Sequence, residues 1–139
     1  MATRHNNREE AATKMSQEIL IVDDEDNIVL SLEFLMKQAG FEVRTAQDGE
    51  QAIEALEARI PDLVLLDVMM PRKDGYEVCQ EIRQRSEWAH LPVVMLTAKG
   101  RDVEREKGLA MGADDYITKP FSTQEVVETV QHILANGAR

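Results

Sequence analysis

The chain alternates short apolar runs of the strand type with longer segments in which apolar residues recur at helical spacing. The strand-type runs are predicted at residues 19–23, 42–46, 63–67, 93–97 and 116–119. Residues 20–22 and 63–66 are apolar at every position, which is typical of parallel strands that helices cover on both faces. Helical segments fill the gaps, so the pattern predicts five successive strand and helix pairs.

Five such pairs predict an α/β fold, a three-layer α/β/α sandwich around a doubly wound five-stranded parallel sheet. Short right-handed connections between neighbouring elements favour this arrangement over other layered folds. The flavodoxin-like strand order 2-1-3-4-5 would place the ends of the first and third strands side by side. Ligands of such sheets bind outside the carboxyl ends of the strands.

Local signals support the helices. Asp48, Asp74 and Ser122 are each followed three residues later by Glu or Gln, which is capping-box spacing and predicts a helix start. The last helix carries one apolar stripe for packing on the sheet, formed by Val126, Val127, Val130, Ile133 and Leu134.

The segment 103–111 differs from the other helical segments because charged residues dominate 101–107. With few apolar residues to bury, it is predicted to be the least stable helix and the readiest to shift.

Composition narrows the function classes. The 139 residues suit one domain, and the net charge of −10 would repel nucleic-acid phosphates and anionic lipids, so direct binding to either is not expected. No apolar run approaches the roughly 20 residues that span a bilayer. Cys79 is the single cysteine, which fits a reducing cytoplasm. Residues 1–17 are polar and aperiodic, which indicates a disordered tail or a remnant of cloning before a domain at 18–139.

Functional groups follow four of the apolar runs. Asp23 and Asp24 follow the first run, Asp67 ends the third, Thr97 ends the fourth and Lys119 ends the fifth. Parallel strands deliver their carboxyl ends to one edge of a sheet, so these groups are expected to converge there. The edge would hold three carboxylates, a hydroxyl and an ammonium.

Each of these residues has a plain structural interpretation when taken alone. Paired aspartates before a helix are commonly a cap or a solvated turn, Thr97 suits any strand, and Lys119 before Pro120 suits a surface loop. Together they indicate more, because three neighbouring carboxylates repel each other unless their pKa values rise or a cation binds. All-oxygen ligands favour Mg²⁺. A metal, a carboxylate nucleophile and hydrogen-bond donors are what in-line phosphoryl transfer requires, which makes Asp67 the predicted nucleophile.

At this point the chain resembles the receiver domains of two-component response regulators. The matching stretches are Ile-Leu-Ile-Val-Asp-Asp-Glu at 19–25, Leu-Val-Leu-Leu-Asp-Val-Met-Met-Pro at 63–71 with Asp-Gly at 74–75, Pro-Val-Val-Met-Leu-Thr-Ala at 92–98, and Gly-Ala-Asp-Asp-Tyr-Ile-Thr-Lys-Pro-Phe at 112–121. The resemblance covers residue 18 to about residue 135. It implies a phosphorylation-dependent signalling switch that catalyses its own phosphorylation and is not otherwise an enzyme.

The resemblance also implies roles for single residues. Asp67 matches the phosphoacceptor, Asp24 a direct Mg²⁺ ligand, and Asp23 an acid that binds the metal through water or helps to position it. The backbone carbonyl of Met69 matches the remaining protein ligand, and Lys119 matches the lysine that pairs first with the phosphoacceptor and then with the phosphoryl group. The Lys119–Pro120 peptide bond is expected to be cis.

Thr97 and Tyr116 match the pair of switch residues of the family. The implied output surface comprises the helix at 101–111, the strand at 116–119 and the helix at 122–134, and its two acids and lack of bases on the last helix predict a basic or apolar partner. The same lack of bases argues against the charge-paired dimer of related regulators, so a monomer or weak dimer is expected. Met69 and Lys99 offer no acceptor to orient a water, which predicts slow self-dephosphorylation.

The implied partners are a sensor histidine kinase or phosphotransfer protein upstream and an effector protein downstream, for a stand-alone receiver or for the receiver of a larger regulator. Two other functions stay open. A phosphohydrolase could use an aspartyl phosphate, but it typically needs a second acid after the nucleophile, where Val68 and Met69 stand. A binding module that works without phosphorylation is disfavoured by the complete set of site residues.

Overall fold

The structure, a computed structural model, describes residues 16–98 and 102–136. Its elements in chain order are β1 (Glu18–Val22), α1 (Asp26–Gln38), β2 (Glu42–Ala46), α2 (Gly49–Ala58), β3 (Leu63–Asp67), α3 (Gly75–Gln84), a short 3₁₀ helix (Ser86–Trp88), β4 (Val93–Ala98), α4 (Asp102–Ala110), β5 (Asp115–Lys119) and α5 (Thr123–Asn136). Most of the predicted tail, Lys99 and the end of the chain lie outside the described residues. Within the described ranges, no helix is long and apolar enough to cross a membrane.

The five strands form one parallel sheet in the order β2-β1-β3-β4-β5, which confirms the predicted fold. Two cores lie on opposite faces of the sheet. The first contains apolar side chains from α2 and α3, and the second contains side chains from α1 and α5. All the residues of β1 and β3 are buried, as expected for central strands covered on both sides.

Three strands differ from their predicted limits: β1 begins and ends one residue earlier, β4 ends one residue later, and β5 begins one residue earlier. β1 ends at Val22 and not at Asp23, whose side-chain Oδ1 accepts a hydrogen bond from the Glu25 amide at 2.9 Å. This contact, from an Asp to the backbone two residues ahead, turns the chain out of the strand. β4 gains Ala98, and β5 gains a residue at its start, because both extensions remain paired across these two strands.

All three predicted helix starts carry the expected side-chain contact. Asp74 forms a complete capping box at the start of α3, and Ser122 Oγ accepts from a backbone amide at 3.0 Å at the start of α5. At α2, Asp48 accepts from the Gln51 amide at 2.8 Å, but the Gln51 side chain accepts from the amide of Gln47 and so does not close a box with Asp48.

Helix α4 is held differently from the other helices. Its one buried residue is Gly108, and Val103 is 76% exposed. A β-carbon on Gly108 would lie 3.3 Å from Met95 Cγ, so the helix approaches the sheet closely there. Few buried apolar groups hold α4, as its sequence predicts, and we expect its local stability to be low.

Candidate functional site

The carboxyl ends of β1, β3, β4 and β5 bring the predicted site residues to one edge of the sheet. Asp67 is the last residue of β3 and pairs in register with Leu96, so Thr97 lies one residue further along β4. Lys119 ends β5, the strand next to β4. Asp23 directly follows the last residue of β1, the other neighbour of β3. The topology therefore delivers all four side chains to the same place.

Three carboxylates form the centre of this edge. Asp23, Asp24 and Asp67 each offer an oxygen, and the three oxygens lie within 4.8 Å of one another. Asp23 is completely buried and Asp67 is 5% exposed, whereas Asp24 faces solvent. Buried carboxylates are costly unless a cation pairs with them. The cluster is thus a buried concentration of negative charge with one side open to water.

Lys119 is the cation that partly neutralises the cluster. Its Nζ lies 2.8 Å from Asp23 Oδ2, 3.3 Å from Asp67 Oδ1 and 3.1 Å from Glu25 Oε1. Glu25 is a contact that the sequence did not predict, and its place directly after the aspartate pair was the only signal. In the part of the chain that the structure describes, one ammonium faces three carboxylates, with a fourth nearby.

The surplus of negative charge shows in the ionisation of Asp67. Burial, and then the charge of Asp23, raise the pKa of Asp67 from its ordinary value of 3.8 to about 7, although Lys119 and a backbone hydrogen bond from Met69 act against the rise. Burial works against the charge of Lys119, but Asp23, Asp67 and Glu25 more than offset it and raise the pKa of its ammonium. Lys119 is therefore a permanent cation, and Asp67 is held near half ionisation at neutral pH.

This donor set suits a hard divalent cation. Carboxylate oxygens at the observed spacing, open to water at Asp24, match the ligands and retained waters that Mg²⁺ prefers. A cation among them would offset the charge of Asp23 that raises the pKa of Asp67. The acidic cluster could thus hold a metal ion, and the electrostatics favour one.

The loop after Asp67 closes tightly over the site. The Gly75 amide donates to the Val68 carbonyl at 2.9 Å, and a β-carbon on Gly75 would lie 2.2 Å from the Asp67 carbonyl oxygen. Only glycine allows this approach. The Met69 side chain is 65% exposed. Its carbonyl as a metal ligand stays a prediction, because the structure shows only its backbone hydrogen bond to Asp67.

The two predicted switch residues lie in different surroundings. Thr97 is 2% exposed at the site edge. The Tyr116 hydroxyl accepts a hydrogen bond from Arg105 Nη1 at 2.8 Å, and the guanidinium carbon lies 4.8 Å from the Tyr116 ring centre. A second tyrosine contacts α4, since the Tyr76 hydroxyl donates to the Glu104 carbonyl at 3.2 Å. Tyr116 therefore faces α4 in this structure.

Sequence reasoning missed Arg105. It lies in the charged run that was interpreted only as a weakly anchored helix, and no sequence spacing relates it to Tyr116. The cis Lys119–Pro120 bond expected from the resemblance is confirmed.

Comparison with known proteins agrees with this geometry. Residues 19–131 match the response regulator receiver domain family. The chain is 48% identical over 120 residues to the alkaline phosphatase synthesis transcriptional regulatory protein PhoP of Bacillus subtilis, a match that covers 86% of this chain and 49% of that protein. The chain thus spans about half the length of this curated relative.

Solved structures give the same family. A candidate response regulator from Chloroflexus aurantiacus is 42% identical, with a TM-score of 0.84 and coverage of 86% of this chain and 98% of that one. The chemotaxis response regulator CheY4 of Vibrio cholerae is 31% identical, with a TM-score of 0.80 and coverage of 84% and 98%.

Proposed function

This chain belongs to the response regulator receiver domain family of two-component signalling, and we propose that it is a phosphorylation-dependent switch with Asp67 as the phosphoacceptor. The observation that carries the proposal is the geometry around Asp67: two further carboxylates within 4.8 Å and the Lys119 ammonium at 3.3 Å. Val68 after Asp67 is completely buried and apolar, so this position offers no acid for a phosphohydrolase.

In the proposed reaction a carboxylate oxygen of Asp67 attacks the phosphorus of a phosphohistidine on a sensor kinase or phosphotransfer protein. The new O–P bond forms as the N–P bond to histidine breaks, and the imidazole leaves with the bonding electron pair. Lys119 supports the transfer because its ammonium already contacts Asp67 and can follow the negative charge onto the phosphoryl oxygens.

The metal of the proposed reaction is Mg²⁺. Asp24, Asp67 and the Met69 carbonyl would hold it directly, and buried Asp23 would hold it through water. Mg²⁺ would neutralise charge on the transferring phosphoryl group. Because it also opposes the repulsion within the cluster, binding of the metal and ionisation of Asp67 should favour each other.

Switching follows from the added charge. A phosphoryl group brings about −1.5 to −2 charges and three acceptor oxygens, so the Thr97 hydroxyl should turn toward it and donate. Tyr116 can then leave Arg105 and rotate into the space behind Thr97, and α4 can shift with it. Moving a population from 1:99 to 99:1 takes about 5.5 kcal/mol. Several charge-assisted hydrogen bonds of about 1.5–3 kcal/mol each could supply this.

The proposed output surface consists of α4, β5 and α5. Val103 and Leu109 on α4 are 76% and 41% exposed, and the described part of α5 has an acidic first turn and no base in its last turn. A partner with basic or apolar residues fits this surface. The partner is an effector protein or a further domain, and we place the switch in the cytoplasm, as a monomer or weak dimer, without direct contact to nucleic acid or membrane.

The test of the function is phosphorylation by acetyl phosphate with Mg²⁺, followed by mass spectrometry. We expect a single label on Asp67, lost in Asp67→Asn and retained in Asp62→Asn, a matched change at the other end of the same strand. Undiminished labelling of Asp67→Asn would contradict the assignment.

The test of the output surface uses fluoroberyllate, which stands in for the phosphoryl group on Asp67. The largest distant amide NMR shifts are expected on α4, β5 and α5. Shifts confined to the loops around Asp24, Asp67 and Lys119 would mean that the switch stops at the site.

The lifetime of the phosphoryl group on Asp67 is a separate prediction. We propose that the group is lost slowly, and Met69→Asn should accelerate the loss by supplying an acceptor for water. A variant no faster than the wild type would contradict this.

A further inference from the structure

The loop between β3 and α3 contains a strained turn that no site residue explains. Arg72 has φ of 68°, a left-handed conformation that a residue with a side chain rarely adopts. The Lys73 amide donates to the Pro71 carbonyl at 2.8 Å, so Arg72 is the central residue of a γ-turn of the rare, strained kind. Such conformations persist only where surrounding contacts determine them, and they cluster at functional sites.

An ion pair with Asp48 connects this turn to α2, and the Arg72 side chain that forms it is 61% exposed. Arg72 Nη2 and Nε lie 2.9 and 3.3 Å from Asp48 Oδ2. Asp48 is 4% exposed and also caps α2, since its Oδ1 accepts from the Gln51 amide at 2.8 Å. The hydrogen bond from Gln51 and then that from Arg72 hold the pKa of the Asp48 carboxyl below its usual range. The carboxylate is therefore a fixed anchor at the start of α2.

A second contact joins the same turn to α2. A β-carbon on Gly49 would lie 2.2 Å from the Lys73 carbonyl oxygen, so the backbone of the turn packs directly on the first residue of the helix. Arg72 Nε also lies 3.8 Å from Glu50 Oε1. The turn is thus held from outside the loop, by a helix that contributes no residue to the acidic cluster.

The turn lies in the same segment as Met69, whose backbone carbonyl is the proposed metal ligand. Gly75 closes this segment on Val68, which leaves residues 69–74 as a short loop with both ends fixed. Met69 begins the loop and Arg72 lies three residues later. Because both ends of the loop are fixed, a change of conformation at Arg72 has to be taken up by the few residues between it and Met69.

We propose that Arg72, held by Asp48, is a positioning residue that sets the Met69 carbonyl for Mg²⁺. The proposal rests on the proposed function and deepens it, because it makes the start of α2 a determinant of metal affinity. Arg72 touches neither the metal nor the phosphoryl group. It acts through the backbone, by holding the loop in a conformation that the loop would otherwise leave.

Two variants test the proposal by calorimetry of Mg²⁺ binding. Arg72→Gly removes the ion pair and also removes the backbone strain, since glycine tolerates positive φ. Asp48→Ser retains a helix cap but is too short to reach Arg72. Both should raise the Mg²⁺ dissociation constant about five- to tenfold, at or just below the smallest effects that follow when residues holding metal ligands in place are mutated. The double variant should lose no more than either single variant.

Lys37→Gln is the matched control. It also removes one positive charge and one surface ion pair, but on α1, where Lys37 pairs with Glu33 at 2.9 Å. Its Mg²⁺ affinity should stay within twofold of the wild type. In labelling with acetyl phosphate, Arg72→Gly and Asp48→Ser should both need about five- to tenfold more Mg²⁺ for the half-maximal rate yet reach the wild-type rate at saturation. If Arg72 and Asp48 only stabilised the fold, their substitution would not raise the Mg²⁺ requirement while leaving the rate at saturating Mg²⁺ unchanged.

The outcomes separate the two proposals. Wild-type protein that neither binds Mg²⁺ nor becomes labelled would contradict the proposed function. Wild-type protein that does both, while Arg72→Gly and Asp48→Ser bind Mg²⁺ within twofold of it, would overturn the positioning role alone. Thermal unfolding without Mg²⁺ confirms that each variant is folded at the assay temperature, and Arg72→Gly, with its strain relieved, should remain so.

Discussion

Two buried ion clusters lie at opposite edges of the same sheet, and they differ in the balance between positive and negative charge. At the amino-terminal edge, Arg83 Nη2 lies 3.0 Å from Asp114 Oδ2, and the same oxygen accepts from the Val93 amide at 2.8 Å. Arg83 also donates to the carbonyls of Gly112 at 2.9 Å and Leu91 at 2.7 Å. The guanidinium and the carboxylate are both buried and pair directly, and backbone groups hold them in place.

The carboxyl-terminal edge is unbalanced. Among the described residues, Lys119 is the one cation that faces Asp23, Asp67 and Glu25, and the pKa of Asp67 rises to about 7 because burial and Asp23 oppose its charge. The balanced cluster holds loops together, and its two groups carry opposite charges that pair directly. The unbalanced one stores repulsion that a cation can relieve. We conclude that the excess of charge, and not burial itself, distinguishes the functional edge.

The largest expected change in the free energy of unfolding comes from the balanced cluster of Arg83 and Asp114. Asp114→Ala leaves the Arg83 guanidinium buried without its carboxylate, and breaking such a pair costs about 3–5 kcal/mol of unfolding free energy. Denaturant unfolding measures this, with the exposed Glu54→Ala as control. A loss below about 1 kcal/mol would place the pair among surface ion pairs and remove the contrast.

Asp67→Asn should act in the opposite direction. The raised pKa of Asp67 means that its ionised form opposes folding. The rise from 3.8 to about 7 corresponds to about 4 kcal/mol, and screening by water at the open side of the cluster reduces it, so the neutral isostere should raise the unfolding free energy at pH 8 without Mg²⁺ by about 3 kcal/mol. The exposed Asp24→Asn should change it less. If Asp67→Asn were destabilised instead, the cluster would be balanced and the comparison would fail.

The pH dependence of the metal-free wild type follows from the same group. With the pKa of Asp67 at about 7 in the folded state and 3.8 in the unfolded state, the folded state binds more protons between these values. Stability is therefore highest below this window and is lost as pH rises through 7, by about 2 kcal/mol between pH 5 and pH 8. Thermal unfolding across this range should show the slope in wild type. In Asp67→Asn the slope should vanish, and a slope retained there would assign it to another group.

The smallest expected change in the free energy of unfolding comes from the binding of Mg²⁺. At ten times its dissociation constant, a ligand of the folded state adds about 1.4 kcal/mol of stability. Wild type should show this gain at pH 8, whereas Asp24→Ala should stay folded and show none. An unchanged gain in Asp24→Ala would exclude Asp24 as a metal ligand, and calorimetry of the same variant provides an independent measurement.

The sequence by itself determined the layers, the strand order and the identity of the residues that meet at the carboxyl-terminal edge of the sheet. These follow from local physics, because apolar runs buried on both faces, helix periodicity and capping pairs such as Asp74 with Glu77 are visible within a few residues. Parallel topology then brings strand ends to one edge without further information. The low apolar content of α4 was visible in the same way.

The tertiary structure alone decided which charges meet. Glu25 reaches Lys119 across 94 positions of the chain, Arg72 reaches Asp48 across 24, and Arg105 meets Tyr116 from a helix whose sequence shows only charge. Long polar side chains can find partners in many directions, and no local period selects one of them. The raised pKa of Asp67 is likewise a property of the folded protein. Asp67 becomes buried and comes close to the charge of Asp23 only when β1 and β3 lie side by side.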